Sequence, residues 1–261
     1  MTYDSTVDSR PRRRTGRKLL TGLLVLVVLL LIVAVVADRV GANYAEREIA
    51  NRVAAQIENQ GATASRPEVD VAGVPFLTQV AAGNYEDIGI VVRDLSGQQD
   101  GKAVRMPLVD ITARDVRAPL STLMNGQGDI VAGSVAGEAT LEYASVAALI
   151  GRDGVVLAEK DGKLAVRAPL SAAGQTLNVT GTADVTIEGE LVRIRFQELT
   201  AEGLESVPFA QNLVNAYARQ ISIDLQLPPL PLDLKLQKVT PRPEGLVVTA
   251  QASEVPLNTT A

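Results

Sequence analysis

Apolar and polar positions divide the chain into three regimes. From Leu19 to Ala37 nineteen consecutive residues carry no charge, LLTGLLVLVVLLLIVAVVA. A helix of that length rises about 28 Å, close to the ~30 Å hydrocarbon core of a bilayer. From Ala42 to Gln60 the apolar positions Ala42, Ala45, Ile49, Ala50, Val53, Ala54 and Ile57 recur at threes and fours, with Glu46, Arg47, Arg52 and Glu58 elsewhere. That spacing predicts an amphipathic helix ending near Gly61, packed on a sheet, with Glu48 and Arg52 as an i,i+4 pair. After Pro67 the period changes to two.

The longest alternating run is Val131, Gly133, Val135, Gly137, Ala139, Leu141 and Tyr143. Similar alternation at Leu164 to Leu170, at Leu177 and Val179, and at Val192, Ile194 and Phe196 predicts further strands. Asp100-Gly101, Asp153-Gly154, Asp161-Gly162, Glu188-Gly189-Glu190 and Glu244-Gly245 fall between such runs and predict turns. The architecture this implies is α+β: a meandering antiparallel sheet with one apolar face. Two further helices are expected. Ser145 is a candidate cap for Val146 to Ile150, closed by Gly151, and Ser206 for a helix from Pro208 to about Gln220.

Near the C-terminus Ile221, Ile223, Leu225 and Leu227 alternate with polar residues, and beyond Pro228 and Pro229 so do Leu230, Leu232, Leu234 and Leu236. Prolines cannot donate to a ladder, so Pro228, Pro229 and Pro231 predict a sheet edge or a break between two strands. Two readings of this aliphatic face stand. It covers the core, or, with Phe209, Leu213 and Tyr217 of the preceding helix, it leaves a groove that acyl chains fill. Burying a methylene is worth about 0.8 kcal/mol, so an acyl chain needs a long, dry aliphatic surface and few polar anchors.

Charge orients the first regime. Arg10, Arg12, Arg13, Arg14, Arg17 and Lys18 precede the apolar run, and basic residues beside a first apolar segment favour the cytoplasmic side. The expected organisation is a basic cytoplasmic tail over residues 1–18, a transmembrane signal anchor over 19–37, an extracytoplasmic domain over 38–257 and a short tail over 258–261. The protein is thus expected in the cell membrane, crossing once. A cleaved signal peptide is the competing expectation. Secretory apolar regions run about 7 to 15 residues, shorter than this one, yet Val35-Val36-Ala37 and Val40-Gly41-Ala42 offer small residues for a signal peptidase. The run has no Cys after it, which excludes a lipoprotein anchor.

Composition removes several function classes. The net charge is -5 and Trp is absent, so counterion release and base stacking give no basis for nucleic-acid binding. With no Cys and no His, thiol nucleophiles, Ser-His catalysis and imidazole-based zinc sites are impossible, and no metal or cofactor is expected. Carboxylate chemistry remains, with Glu188 and Glu190 two apart on a turn, where acids are ordinarily just solvated. The arginines at 93, 105, 114, 117, 152, 167, 193 and 195 are scattered and read mostly as solvated strand faces.

Gly73-Val74-Pro75-Phe76-Leu77-Thr78-Gln79, then Gly83-Asn84-Tyr85 and Ile88, form one signature. Leu227-Pro228-Pro229-Leu230-Pro231-Leu232, running on to Val239, Pro241 and Gly245-Leu246-Val247-Val248, forms a second. Together, in this order after an apolar helix, they resemble the LmeA-like phospholipid-binding proteins of actinobacterial cell envelopes, over roughly residues 38 to 257. Leu232-Asp233 departs from the aromatic residue and Gly that the family commonly shows there. The resemblance implies an elongated, curved antiparallel sheet wrapped around a long helix and enclosing an apolar groove or tunnel. It also implies binding of phospholipids, phosphoinositides among them, a role in maturation of lipomannan-type glycolipids, and no catalytic residue. Phe76 and Leu77 would then serve the core or the tunnel wall, and Gly73 and Gly83 positive-φ or close-approach positions.

Three functions follow from these residues. The first is a membrane-anchored lipid-binding or lipid-carrying protein, with Phe76, Leu77, Phe209, Leu213, Tyr217, Leu230, Leu232 and Leu234 as the lipid-contacting residues. The second is a non-catalytic scaffold for envelope glycosyltransferases, recruiting its partner by strand addition at a sheet edge. The third is a carboxylate-dependent hydrolase of lipid or glycan.

Overall fold

The computed structural model describes residues 15–99, 101–125, 127–172, 175–189, 191–201, 210–226 and 234–258. Helix α1 runs unbroken from Thr15 to Asn59, so the apolar run and the amphipathic helix are one rod. Its side chains from Leu23 to Ala37 are all exposed. Beyond them one face turns inward: Ala42 and Ala50 are buried and Ala45 and Ile49 pack beside Ala42. The helix ends where Gly61 takes a φ of +70°, a left-handed conformation that suits glycine.

Two antiparallel sheets follow. The first contains β1 (Glu68–Ala72), β2 (Asn84–Gln99), β3 (Lys102–Arg117), β4 (Val131–Leu141), β10 (Lys235–Arg242) and β11 (Gly245–Pro256), in the order β1-β2-β3-β4-β11-β10. The second contains β5 (Val156–Lys160), β6 (Lys163–Ala172), β7 (Gln175–Glu188), β8 (Leu191–Ala201) and β9 (Ile223–Gln226), in chain order. Neither sheet closes on itself. Short helices punctuate them: α2 (Phe76–Ala82), α3 (Leu120–Asn125), α4 (Tyr143–Ile150) and α5 (Ala210–Ile221).

The antiparallel α+β class agrees with the sequence pattern, and the arrangement differs from one curved meander around a helix. The chain leaves the first sheet after β4, builds the second, and returns as β10 and β11. Helix α1 lies against β1 and α2 with its outer side exposed rather than enclosed. The expected break in the C-terminal aliphatic stretch is real: β9 ends the second sheet and β10 edges the first. Ile221 closes α5 instead of opening a strand.

Other boundaries move for local reasons. The run from Val131 stops at Leu141 because Tyr143 opens α4. Ser145 does not cap that helix. Glu142 holds the cap position with extended backbone, and the Ser145 hydroxyl instead accepts the Arg105 N–H at 2.9 Å. Gly151 closes α4 at a φ of +72°, and Lys102 Nζ donates to the Leu149 carbonyl at 3.2 Å, a cation placed where the helix dipole favours one. Ser206 and Pro208 lie outside the described residues.

Two apolar clusters hold the fold. One joins the second sheet to α4 and α5 through Leu164, Val179, Ile194, Val146, Val214 and Ile221 and reaches Leu246 of the first sheet. The other lies at the end of the first sheet nearest α1, around Val71, Phe76, Tyr85, Val116, Ala132 and Val255. Burial pushes the phenols of Tyr85, Tyr143 and Tyr217 above their ordinary value of 10.0. Tyr143 also donates to the Arg242 carbonyl at 2.8 Å. A raised folded-state pKa contributes stability that is complete below the unfolded value and is lost as pH rises through the folded one. Urea midpoints measured across pH should therefore fall above pH 10.0, and Tyr143→Phe should show a smaller fall.

Candidate functional site

The segment from Gly73 to Tyr85 fastens α1 to the first sheet. Gly73 has a φ of +95°, and a side chain there would run into the Gln79 carboxamide. That carboxamide is buried between two strands. Its Nε2 donates to the Ala72 carbonyl at 3.0 Å and its Oε1 accepts the Glu86 N–H at 2.9 Å, so Gln79 ties the end of β1 to the start of β2. Gln79→Ala strands both backbone groups. It should cost about 1–3 kcal/mol for each one left unpaired, measurable by urea unfolding.

The N-terminal end of α2 meets α1. Asp38, the first charged residue after the apolar run, is only 5% exposed, and its Oδ1 accepts the Leu77 N–H at 2.8 Å. Three residues on, Gly41 allows close approach: a Cβ there would stand 3.5 Å from both the Phe76 ring and a Leu77 methyl. The apolar rod and the folded domain are therefore docked to each other as well as covalently continuous.

The apolar face of the first sheet extends from this junction. Cross-strand pairing aligns two rows: Ile90, Ile111, Gly137, Ala250 and Leu236, and beside it Val92, Val109, Ala139, Val248 and Val239. Residues directly opposite in an antiparallel ladder share a face. The other face carries Asp110, Thr112, Glu138 and Thr249 and is polar. With four inter-strand gaps each row is about 19 Å long, longer than the ~15 Å that half of a hydrocarbon core provides.

This face is not uniformly covered. Ile88, Ala113 and Val135 belong to the cluster near α1, and Leu141 and Leu246 to the other. Between them Ile90, Val109, Gly137, Ala139 and Val248 stay partly exposed. A Cβ on Gly137 would find only the Asp110 carbonyl oxygen, at 4.0 Å, so the space in front of it is open. A glycine inside a strand marks a place where another group comes close. The result is an apolar trough floored by small and β-branched side chains.

The sequence-predicted contact residues do not form one patch. Phe76 and Leu234 join the cluster near α1. Leu77 is 44% exposed, with one methyl toward Gly41 of α1. Tyr217 is a core residue of the second sheet, its hydroxyl donating to the Pro169 carbonyl at 2.9 Å. Leu213 lies on α5 with its side chain outside the described set, and Phe209, Leu230 and Leu232 lie outside the described residues. Phe76 and Leu234 thus stand apart from Tyr217, because the chain changes sheets between Gln226 and Lys235. Of the trough residues, Gly137 and Ala139 stand in the longest alternating run and Val248 in the second signature, while nothing in the sequence pattern marks Ile90 or Val109.

Charged groups near the sheets are engaged locally. Arg93 pairs with Glu68, Arg114 with Asp87 and Arg117 with Glu254. Glu188, at the β7–β8 turn, pairs with Arg193, and Arg195 with Asp224. Glu190 lies outside the described residues. Among the described residues no three Asp or Glu side chains gather where they would hold a metal ion.

The sequence model of one family, described as LmeA-like phospholipid-binding, matches residues 36–251. The chain belongs to that family. The match begins just before Asp38 and ends within β11, so it takes in strands of both sheets and the part of α1 docked to them. No curated protein and no solved structure matches the chain.

Proposed function

We propose that this LmeA-like protein is a membrane-anchored phospholipid binder whose acyl-chain site is the trough on the first sheet. The observation that carries the reading is the middle of the two apolar rows, Ile90, Val109, Gly137, Ala139 and Val248, left partly exposed between two packed clusters that take up Ile111, Leu236 and Val239. Acyl chains need such a surface, since each methylene moved out of water returns about 0.8 kcal/mol. Residues 19–37 anchor the chain in the cell membrane, crossing once, with the basic residues 1–18 cytoplasmic and the domain outside. The protein holds or carries lipid and does no chemistry on it. The Glu188 carboxylate is already engaged by Arg193. Phosphoinositide as the bound lipid, and support of lipomannan-type glycolipid maturation beside an envelope glycosyltransferase, rest on the family likeness alone.

The test uses the full chain in vesicles containing a phospholipid with a photoreactive group on its acyl chain. After illumination and digestion, adducts are expected on peptides of β3, β4 and β11 as well as on the apolar run. Adducts confined to residues 19–37 would refute the trough as a lipid site while leaving the anchor in place.

A further inference from the structure

We propose that the end of the domain formed by α2 and α3 is a second membrane contact, seated in the headgroup layer of the leaflet from which α1 emerges. The proposal rests on the anchor reading and goes beyond it, since an anchor by itself does not bring any further part of the domain into the bilayer.

The position of this end follows from the span. A bilayer is about 30 Å thick in its hydrocarbon and about 40–45 Å with headgroups, which leaves each headgroup layer about 6 Å deep. At about 1.5 Å per residue, that depth is four residues of α1. If the hydrocarbon ends near Ala37, the headgroup layer holds Asp38 to Gly41. These residues are the ones that touch α2: Asp38 accepts the Leu77 N–H, and Gly41 faces Phe76 and Leu77. The start of α2 therefore sits at headgroup depth whatever the rest of the domain does.

Helix α3 shares that end. Asn84, which follows α2, pairs with Arg117, which precedes α3. Gly83 packs against Pro119, and its carbonyl accepts the Ala118 N–H at 2.9 Å. Neither helix contains a charged residue: α2 reads FLTQVAA and α3 reads LSTLMN.

Exposure singles out the same place. Beyond Ala37 the described residues expose eight large apolar side chains, and seven of them belong here. Val40 and Tyr44 lie on the outer face of α1, Val74 and Leu77 at α2, and Leu120, Leu123 and Met124 on α3; Val156 alone lies elsewhere. Met124 is 75% exposed. Exposed apolar residues gathered at one end mark an interaction surface. Two charge-free helices beside a membrane exit fit lipid, because neither carries a charge that must be desolvated for it to enter.

The chain has no Trp, so a single introduced one reports its own surroundings. Met124→Trp, Val156→Trp and Val28→Trp are prepared in the full chain and reconstituted into phosphatidylcholine–phosphatidylglycerol vesicles, with and without bromine on the acyl chains. Loss of fluorescence is expected for Met124→Trp with bromine near the headgroup and for Val28→Trp with bromine deep in the chain. Val156→Trp should lose none. If Val28→Trp is quenched and Met124→Trp behaves like Val156→Trp, the docking surface is refuted and the anchor stands. If Met124→Trp is quenched and Val28→Trp is not, the span is refuted, and a second contact beside it is refuted with it.

Discussion

Gly137→Phe is expected to abolish acyl-chain labelling of β3, β4 and β11 while the chain remains folded. Gly137 lies on the apolar face in the middle of the trough, its backbone is ordinary strand, and a Cβ there clashes with nothing. A Cβ therefore fits, and the partly exposed position leaves the ring of Phe to lie along the trough. Replacing glycine inside a strand also removes a conformational cost of roughly 0.5–1 kcal/mol, so urea unfolding should show equal or greater stability. An aromatic ring over Val109 and Ala139 occupies the volume a lipid would use. Excluding even four methylenes forfeits about 3 kcal/mol, roughly a hundredfold in affinity. Gly89→Phe is the matched control. Gly89 sits on β2 between Ile88 and Ile90, so its side chain would stand on the polar face, where a Cβ meets only the Asp70 carbonyl oxygen, again at 4.0 Å. Labelling that survives Gly137→Phe as well as Gly89→Phe would mean lipid binds elsewhere.

Local order was readable in the sequence where it depends on near neighbours. Asp161-Gly162 closes β5 on β6 with both residues at positive φ, and Glu244-Gly245 closes β10 on β11, as their sequences indicate. The helix stop at Gly61 and the positive φ of Gly73 and Gly83 likewise follow from residue type. Helix α2 was not readable, because seven residues are too few for a 3.6-residue period to declare itself. Its stability comes from partners distant in sequence: Asp38 at its start and Pro119 beyond its end. The division into two sheets was hidden for a similar reason. Alternation tells which residues share a face but not which strand lies beside which, and β4 pairs with β11 across more than a hundred intervening residues.

The candidate site shows the same limit. Large residues such as Phe76 and Tyr217 attracted attention as lipid contacts, and the structure uses both in packed clusters. Packed cores absorb large apolar side chains. A surface that must stay open is made of what does not fill space, here Gly137 and Ala139 flanked by Val109 and Val248. In sequence, such residues look like an ordinary strand with gaps.

Gly83→Ala should be among the most damaging single changes at the junction of α2 with α1. Gly83 ends α2 at a φ of +66°, which costs a residue with a Cβ about 1–2 kcal/mol. The new carbon would also lie 2.8 Å from Pro119 Cα, a backbone atom with no rotamer to move. Overpacking of this kind adds about 1–3 kcal/mol. Gly61→Ala separates the two contributions, since Gly61 has a φ of +70° with nothing within 4 Å. It pays for the backbone alone. In urea unfolding of the full chain, Gly83→Ala should therefore lose more stability than Gly61→Ala by about the overpacking amount. Equal losses would show that Pro119 yields freely. Because α2 carries the Leu77 N–H that Asp38 accepts, displacing its C-terminal end also strains the contact that fixes the domain to α1. A weaker junction should appear as faster hydrogen exchange at Leu77 in Gly83→Ala than in Gly61→Ala.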